Sequence, residues 1–238
     1  MNLPQSQNCI ITLDGPAGAG KSSISHCLAD KLGLQYLDTG AMYRAVALSV
    51  IQQQINVTDT EAIDALLDAI EIRFDWTTNP PRLLLNGNDQ TDHIRTPDVS
   101  SMASQVAALS PVRKLLVREQ RAIGQEHPRL VTEGRDQGSV VFTDAPVKIY
   151  LDASPRVRAE RRAKQLEAQG QSVDIDELEA QIAERDNRDS SRDDSPLVQP
   201  EGSVYLDTSD LSFDEVLETL VSHVYQNLGL NQSQEGGD

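Results

Sequence analysis

Thiol chemistry is nearly absent from this 238-residue chain, whose only cysteines are Cys9 and Cys27. With no CxxC pair and no metal-ligand spacing, they exclude a disulfide scaffold and a thiolate metal centre, and both are expected as core thiols. Long apolar runs are missing as well. No stretch approaches the roughly 18 apolar residues that a bilayer span needs. The first residues also lack a basic segment followed by an apolar one, so a cytoplasmic enzyme with no membrane association is expected. The four histidines, His26, His93, His127 and His223, have no ligand spacing and read as structural or exposed. Basic residues are scarce: the formal net charge is -16, which excludes a general nucleic-acid binder because such proteins carry a basic footprint. From Asp193 to Asp238 there are ten acids and no Lys or Arg, so residues 1 to 192 carry only -6, from 27 acids against 21 bases. Eight of those bases (Arg156, Arg158, Arg161, Arg162, Lys164, Arg185, Arg188 and Arg192) crowd into one short stretch, which makes a local cationic surface in an acidic protein. No fold-scale repeat is visible. The length and a hydrophobic content of 38% suit one compact protein with small insertions.

What is present begins with DGPAGAGKSS at 14 to 23. Gly15, Gly20, Lys21 and Ser22 fit G-x-x-x-x-G-K-[ST], in which glycines let backbone N–H groups curl around phosphate oxygens and the hydroxyl reaches a magnesium ion. A bare glycine turn is the bland alternative, and context weighs against it. CIITL at 9 to 13 reads as a buried strand, and KSSISHCLADKLG places Ile24, Cys27, Leu28, Ala29 and Leu32 at helical spacing with Gly33 as C-cap. Strand, glycine loop and helix come in the order a phosphate loop requires, and the helix N-terminus adds its own partial positive charge.

Further along, QYLD (35 to 38) reads as a strand and 39 to 54 as a helix capped by Thr39. Another helix is expected over 58 to 70, opened by Thr58 with Glu61 three residues on. IEIRFDW and RLLLNGNDQ then suggest a small antiparallel ribbon with an Asn-Gly turn, in which Trp76 packs. Helices are expected from Pro97 and Pro111, the second ending near Gly124. RLVTE, VKIYLDA and VYLDT read as buried strands, with two charged helices between the last two and an amphipathic helix over 213 to 228. Strands separated by helices imply a parallel sheet covered on both faces, with 58 to 96 and 155 to 195 as excursions from it. The residues after Leu228 are expected to be a disordered, solvated tail.

A phosphate loop alone fits a kinase, a motor, an ATPase or a switch GTPase. The chain has no N-K-x-D motif and no D-x-x-G after a suitable strand, which disfavours the switch. DTGAMYR (38 to 44) and EGRDQGSVV (133 to 141) each follow a strand and so emerge at the carboxyl edge of the sheet. RDNRDSSR carries Arg185, Arg188, Asp189 and Arg192 at one-face helical spacing if the helix continues. Phosphoryl transfer depends on positioning and preorganised cations, which such a helix pair can supply.

Together with YLDTGAMYRAVAL, ASQVAALSPVR, EGRDQGSVVF, DAPVKIYLDAS and ERDNRDSSR, the phosphate loop makes the chain resemble bacterial cytidylate kinases from about Cys9 to Leu228. The resemblance implies an α/β P-loop kinase core with a five-stranded parallel sheet flanked by helices. It also implies a nucleoside monophosphate-binding excursion with a small β insert and a short helical lid. On that pattern 1–238 is a single domain, with core segments at about 9–38, 125–154 and 200–228, the monophosphate region at 39–124, the lid at 155–195 and the tail at 229–238.

The implied reaction is ATP-dependent phosphorylation of CMP, and of dCMP, by a monomer that uses magnesium and binds neither nucleic acid nor membrane. Gly15, Pro16, Ala17, Gly18, Ala19, Gly20, Lys21, Ser22 and Ser23 would hold the ATP phosphates, with the Ser22 hydroxyl on the metal. Thr39, Tyr43, Arg44 and Arg135 match contacts to the acceptor phosphate, and Ser104, Arg113 and Asp136 match the set that reads the base. Arg185, Asp189 and Arg192 match the lid contacts to ribose and phosphates. Lys21, Arg135, Arg185 and Arg192 are the implied catalytic cations. Arg158, Arg161 and Arg162 either face the donor nucleotide or form a solvated helix face. Asp14 and Glu133 are both candidates for orienting magnesium-bound water, and the residues alone do not choose. A kinase for UMP or for a non-nucleotide metabolite is the near rival, and a nucleotide-binding assembly protein without acceptor chemistry is the distant one.

Overall fold

The computed structural model describes residues 3–5, 7–168 and 170–230, so most of the expected tail lies outside the described residues. In chain order, β1 (Cys9–Asp14), α1 (Lys21–Leu32) and β2 (Gln35–Asp38) are followed by α2 (Thr39–Gln52) and α3 (Thr60–Ala69). Next come β3 (Ile72–Asp75), β4 (Arg82–Leu85), β5 (Asn88–Asp89), α4 (Pro97–Val106) and α5 (Ser110–Glu126). The remaining elements are β6 (Arg129–Glu133), β7 (Val147–Asp152), α6 (Pro155–Glu167), α7 (Ile175–Ser190), β8 (Val204–Asp207) and α8 (Phe213–Asn227). The chain forms two compact units, one of Met1–Tyr36 with His127–Asp238 and one of Leu37–Glu126.

The large sheet has strand order β2-β6-β1-β7-β8, and β1 runs parallel to both β6 and β7, as β7 does to β8. This is the expected five-stranded parallel sheet flanked by helices. Every residue of β1 except Ile10 is buried, as a central parallel strand covered on both faces must be. Ile11, Leu13, Ile149 and Leu151 pack with Leu28 and Leu32 of α1 and with Leu220 and Val224 of α8. Burying each such side chain stabilises by about 1.5–3 kcal/mol. The register pairs Leu13 with Glu133, Asp14 with Tyr150 and Asp152 with Asp207. Carboxylates thereby line the carboxyl edge, where ligands of open α/β sheets bind.

In the second unit Met42, Ala45 and Val46 of α2 pack with Ile94, with Val99 and Val106 of α4, with Leu116 of α5 and with Leu83 and Leu85 of β4. The antiparallel ribbon is a three-stranded sheet, β3-β4-β5, whose Asn86-Gly87 turn has φ of 49° and 76°. Positive φ at both residues is what a tight hairpin demands and what Asn-Gly tolerates.

Three boundaries differ from the sequence expectation. Asp38, not Thr39, caps α2: its extended backbone lets Oδ1 accept from the Ala41 N–H at 2.9 Å, while Thr39 is already helical. Asp59 likewise displaces Thr58 on α3, because the Thr58 N–H and hydroxyl both donate to Asn56 Oδ1. Finally, α7 stops at Ser190, so Arg192 lies beyond the helix rather than on its face.

Candidate active site

The loop after β1 is shaped by what its glycines omit. Gly15 has φ of 145°, and a Cβ there would lie 1.9 Å from the Leu151 carbonyl oxygen, so only a bare backbone can pass β7 at that point. Lys21, the first residue of α1, is 4% exposed and donates from Nζ to the Pro16 carbonyl at 2.8 Å. Burial pushes its pKa down to about 7; Arg135 and Arg185 push the same way, while Glu133 and Asp14 only partly oppose them. A multiply charged anion at the loop would reverse that balance.

Asp14 is fully buried, and its two oxygens accept from the backbone N–H groups of Gln137 at 2.8 Å and Gly138 at 2.7 Å. Burial raises its carboxyl to about 7 despite those bonds. The Ser22 hydroxyl donates to Glu133 Oε1, which also accepts from the Tyr36 hydroxyl at 3.1 Å. Of the two acids left open by the sequence, Asp14 is therefore committed to the backbone of the 137–138 turn and Glu133 is the one that touches the phosphate loop. A serine hydroxyl beside a carboxylate is a hard oxygen donor set that fits magnesium.

Four cationic side chains gather in the same unit. Arg135 donates from Nε to Asp189 Oδ2 at 3.1 Å, and Arg192 donates to Asp189 Oδ1. Asp189 is 1% exposed; burial pushes its carboxyl up, but Arg135, Arg192 and Arg185 together outweigh this and hold it below the ordinary range. Lys21, Arg135, Arg185, Asp189 and Arg192 thus form one electrostatic cluster. Asp136, also buried, follows Arg135 and accepts from the Gln137 side-chain amide at 3.4 Å.

Two of the three α6 arginines form no solvated face. Arg158 donates to the carbonyls of Ala153 at 2.8 Å and Ala17 at 3.0 Å and pairs with Asp186 at 2.6 Å. Arg161 holds the Thr208 carbonyl and hydroxyl at 2.6 and 3.0 Å, while Arg162 is exposed beside Gln165.

The second unit carries Thr39, Tyr43, Arg44, Ser104 and Arg113. Arg44 donates to Asp38 Oδ2 at 2.7 Å, and Arg95, which no motif had singled out, reaches the same oxygen at 3.3 Å. The buried Arg113 guanidinium lies 5.6 Å from the Tyr43 ring centroid and donates to the Ala107 carbonyl at 3.1 Å. The Ser104 hydroxyl and Arg44 Nε are buried with no hydrogen-bond partner among the described residues, which suits groups that await a ligand. Trp76 packs at a tilt against Phe74 and Cys9 is buried, both as expected, whereas Cys27, expected in the core, is only half-buried.

A family model described as cytidylate kinase matches residues 11–226. The chain belongs to the cytidylate kinase family. A cytidylate kinase of Serratia proteamaculans is 43% identical over 223 residues, covering 94% of this chain and 97% of that one. One from Edwardsiella ictaluri is 44% identical over 219 residues, covering 92% and 97%. Among solved structures, a shikimate kinase from Bacteroides thetaiotaomicron aligns over 93% of this chain and 99% of its own with a TM-score of 0.50 and 15% identity, a likeness of fold alone. Membership in that family makes the chain a nucleotide-dependent phosphotransferase. No described helix is long and apolar enough to cross a membrane.

Proposed function

We propose that this protein transfers the γ-phosphoryl group of ATP to CMP, with dCMP as a second acceptor, giving ADP and the diphosphate. The observation that carries this reading is the family match across residues 11–226 on a chain whose phosphate loop is intact in geometry. In this reading residues 15–23 and the Lys21 ammonium hold the donor phosphates. Thr39, Tyr43, Arg44 and Arg135 bind the acceptor phosphate, and Ser104, Arg113 and Asp136 read its base. Residues 39–124 form the acceptor region and 155–195 the lid, whose Arg185, Asp189 and Arg192 meet ribose and phosphates. Magnesium, arriving with ATP, would be held by the Ser22 hydroxyl with Glu133 beside it, and would supply neutralisation of the phosphate charge. The acceptor phosphate is itself the nucleophile, so the protein needs no strong base; Lys21, Arg135, Arg185 and Arg192 stabilise the charge spread over the transferring group. A cytoplasmic monomer completes the proposal.

The rival acceptor is UMP, which differs at the base edge. Cytosine presents an N4 amine donor where uracil presents an O4 acceptor, so a carboxylate at Asp136 favours the first. One such pairing is worth about 1–3 kcal/mol, or roughly 5-fold to 150-fold. ADP release coupled to an indicator reaction, with CMP, UMP or no acceptor, tests the assignment. We expect CMP to be preferred over UMP by about tenfold or more, and Asp136→Ala to narrow that ratio by losing CMP activity. ADP release indifferent to CMP would remove the acceptor chemistry, and an unchanged ratio in Asp136→Ala would remove Asp136 from base reading.

A further inference from the structure

The strands and turn that lead to Asp136 bury several polar groups. Thr12 and Asp14 of β1, Thr132 of β6 and Gln137 of the turn after β6 are all fully buried. Part of this set has a plain structural duty. Asp14 clamps the backbone N–H groups of Gln137 and Gly138, and Gly138 sits so close to β1 that a Cβ would lie 2.8 Å from Thr12 Oγ1. The turn, an open helical one over Gln137–Val141, is therefore fixed through its main chain. Its backbone does not need the side chain of Gln137.

That side chain has another job available. Thr132 Oγ1 donates to Gln137 Oε1 at 2.9 Å, and Gln137 Nε2 donates to Asp136 Oδ1 at 3.4 Å. The amide cannot be reversed without loss: a hydroxyl can donate or accept, but an ionised carboxylate only accepts, so the NH₂ end must face Asp136 and the oxygen must face Thr132. Burying an amide costs free energy unless both ends are satisfied, and here both ends point one way. The relay from Thr132 through Gln137 thereby reaches one oxygen of the Asp136 carboxylate.

We propose that Gln137 is a positioning residue for acceptor discrimination, holding Asp136 in the rotation that accepts the cytosine amine and opposes the uracil carbonyl. The inference rests on the assignment of Asp136 to the acceptor base. Gln137 acts through Asp136 and touches no substrate itself. At 3.4 Å the amide contact is long, which sets the expected effect at the low end for a hydrogen bond to a charged group.

The test is kcat/KM for CMP and for UMP, and KM for ATP, in the full chain and in Asp136→Ala, Gln137→Met, Gln137→Glu and Thr132→Val. Methionine keeps the length of the side chain and removes the donor. We expect Gln137→Met to lower the CMP to UMP ratio by about threefold to tenfold, chiefly by raising KM for CMP, with KM for ATP unchanged. Gln137→Glu sets acceptor against acceptor and should lower the ratio further. Thr132→Val, nearly isosteric, unties the far end of the relay and should move the ratio the same way by less, which keeps the test decisive if either Gln137 variant folds poorly. If Asp136→Ala collapses the ratio while Gln137→Met and Thr132→Val leave it unchanged, or lower CMP and UMP activity in equal proportion, the positioning role is wrong and the base-reading role of Asp136 stands. If Asp136→Ala itself leaves the ratio unchanged, the underlying assignment fails and the inference falls with it.

Discussion

Asp14 and Lys21 are driven toward neutrality by the same cause, burial, and their effects on stability run in opposite directions. The Asp14 carboxyl rises from 3.8 to about 7, so the folded state holds its proton more tightly than the unfolded chain does. Stability from this group is full below pH 3.8 and is lost as pH climbs through 7. The Lys21 ammonium falls from 10.5 to about 7, so its contribution is full above 10.5 and is lost as pH drops through 7. Inside the Asp14 window each pH unit costs up to ~1.4 kcal/mol, or roughly 3–6 °C for a chain of this size. Asp14→Asn should therefore lower Tm at acid pH, where it loses one of two accepted N–H bonds, yet flatten the decline of Tm between pH 3.8 and 7. Melting curves across that range decide, and an undiminished decline in the variant would assign it to other groups. For Lys21→Ala we expect kcat to fall by about 10²–10³, the scale of losing one preorganised electrostatic contact. Tm should change little, because the ammonium is a desolvated charge whose removal relieves burial as well as losing the Pro16 bond. A folded variant with normal kcat would take the lysine out of the mechanism.

At the level of elements, the end of α7 concentrates the chemistry. Asp189 on its last turn binds Arg135, 54 residues away, and Arg192 just past the helix, so the helix terminus and the β6 turn share one buried carboxylate. If α7 closes over the phosphates, Arg192→Ala should lower kcat by about 10²-fold, and CMP together with a non-hydrolysable ATP analogue should protect 175–192 from amide exchange. Equal exchange in free and doubly liganded protein, with normal kcat in the variant, would reduce α7 to an ordinary surface helix. This helix was legible in the sequence as one of two charged helices between strands, the five core strands as short apolar runs, and the Asn86-Gly87 hairpin from its turn residues. Its end was not legible, because Ser191 and Arg192 are compatible with helix and only the backbone turn at Ser191 ends it. The caps failed for a related reason: Asp38 competes with Thr39, and Asp59 with Thr58, for the same role, and backbone angles choose between them. In the site, the phosphate loop was plain because its spacing is local. The Ser22–Glu133 bond, the second arginine on Asp38 and the Thr132–Gln137–Asp136 relay join residues through the fold, and nothing in the local pattern marks them.

Across the whole molecule, a formal charge of -16 should repel ATP, yet the functional reading requires ATP to bind. The distribution of charge resolves this. Ten of the 37 acids lie from Asp193 onward, a stretch that has no basic residue, while Arg156 to Arg192 hold eight of the 21 bases. At about 0.15 M salt the Debye length is roughly 8 Å, so a polyanion at the loop feels Lys21, Arg135, Arg185 and Arg192 far more than the acids spread over the rest of the surface. Part of the cationic set is already spent within the fold, since Arg156 pairs with Asp176 and Glu179, and Arg158 with Asp186. What acts on the donor is therefore a short-range field from a few half-buried cations, and a field of that kind weakens as salt screens it. Net charge acting as a whole would do the reverse, because screening a repulsion helps the ligand arrive. We accordingly expect KM for ATP to rise when ionic strength is taken from about 0.05 M to about 0.5 M, with kcat less affected because the contacts in the closed site exclude solvent. Steady-state kinetics in a series of salt concentrations, repeated with two different monovalent salts to exclude ion-specific effects, measure this directly. A KM that falls as salt rises would mean that the acidic surface as a whole, and not the cluster around Asp189, governs how the donor nucleotide reaches its site.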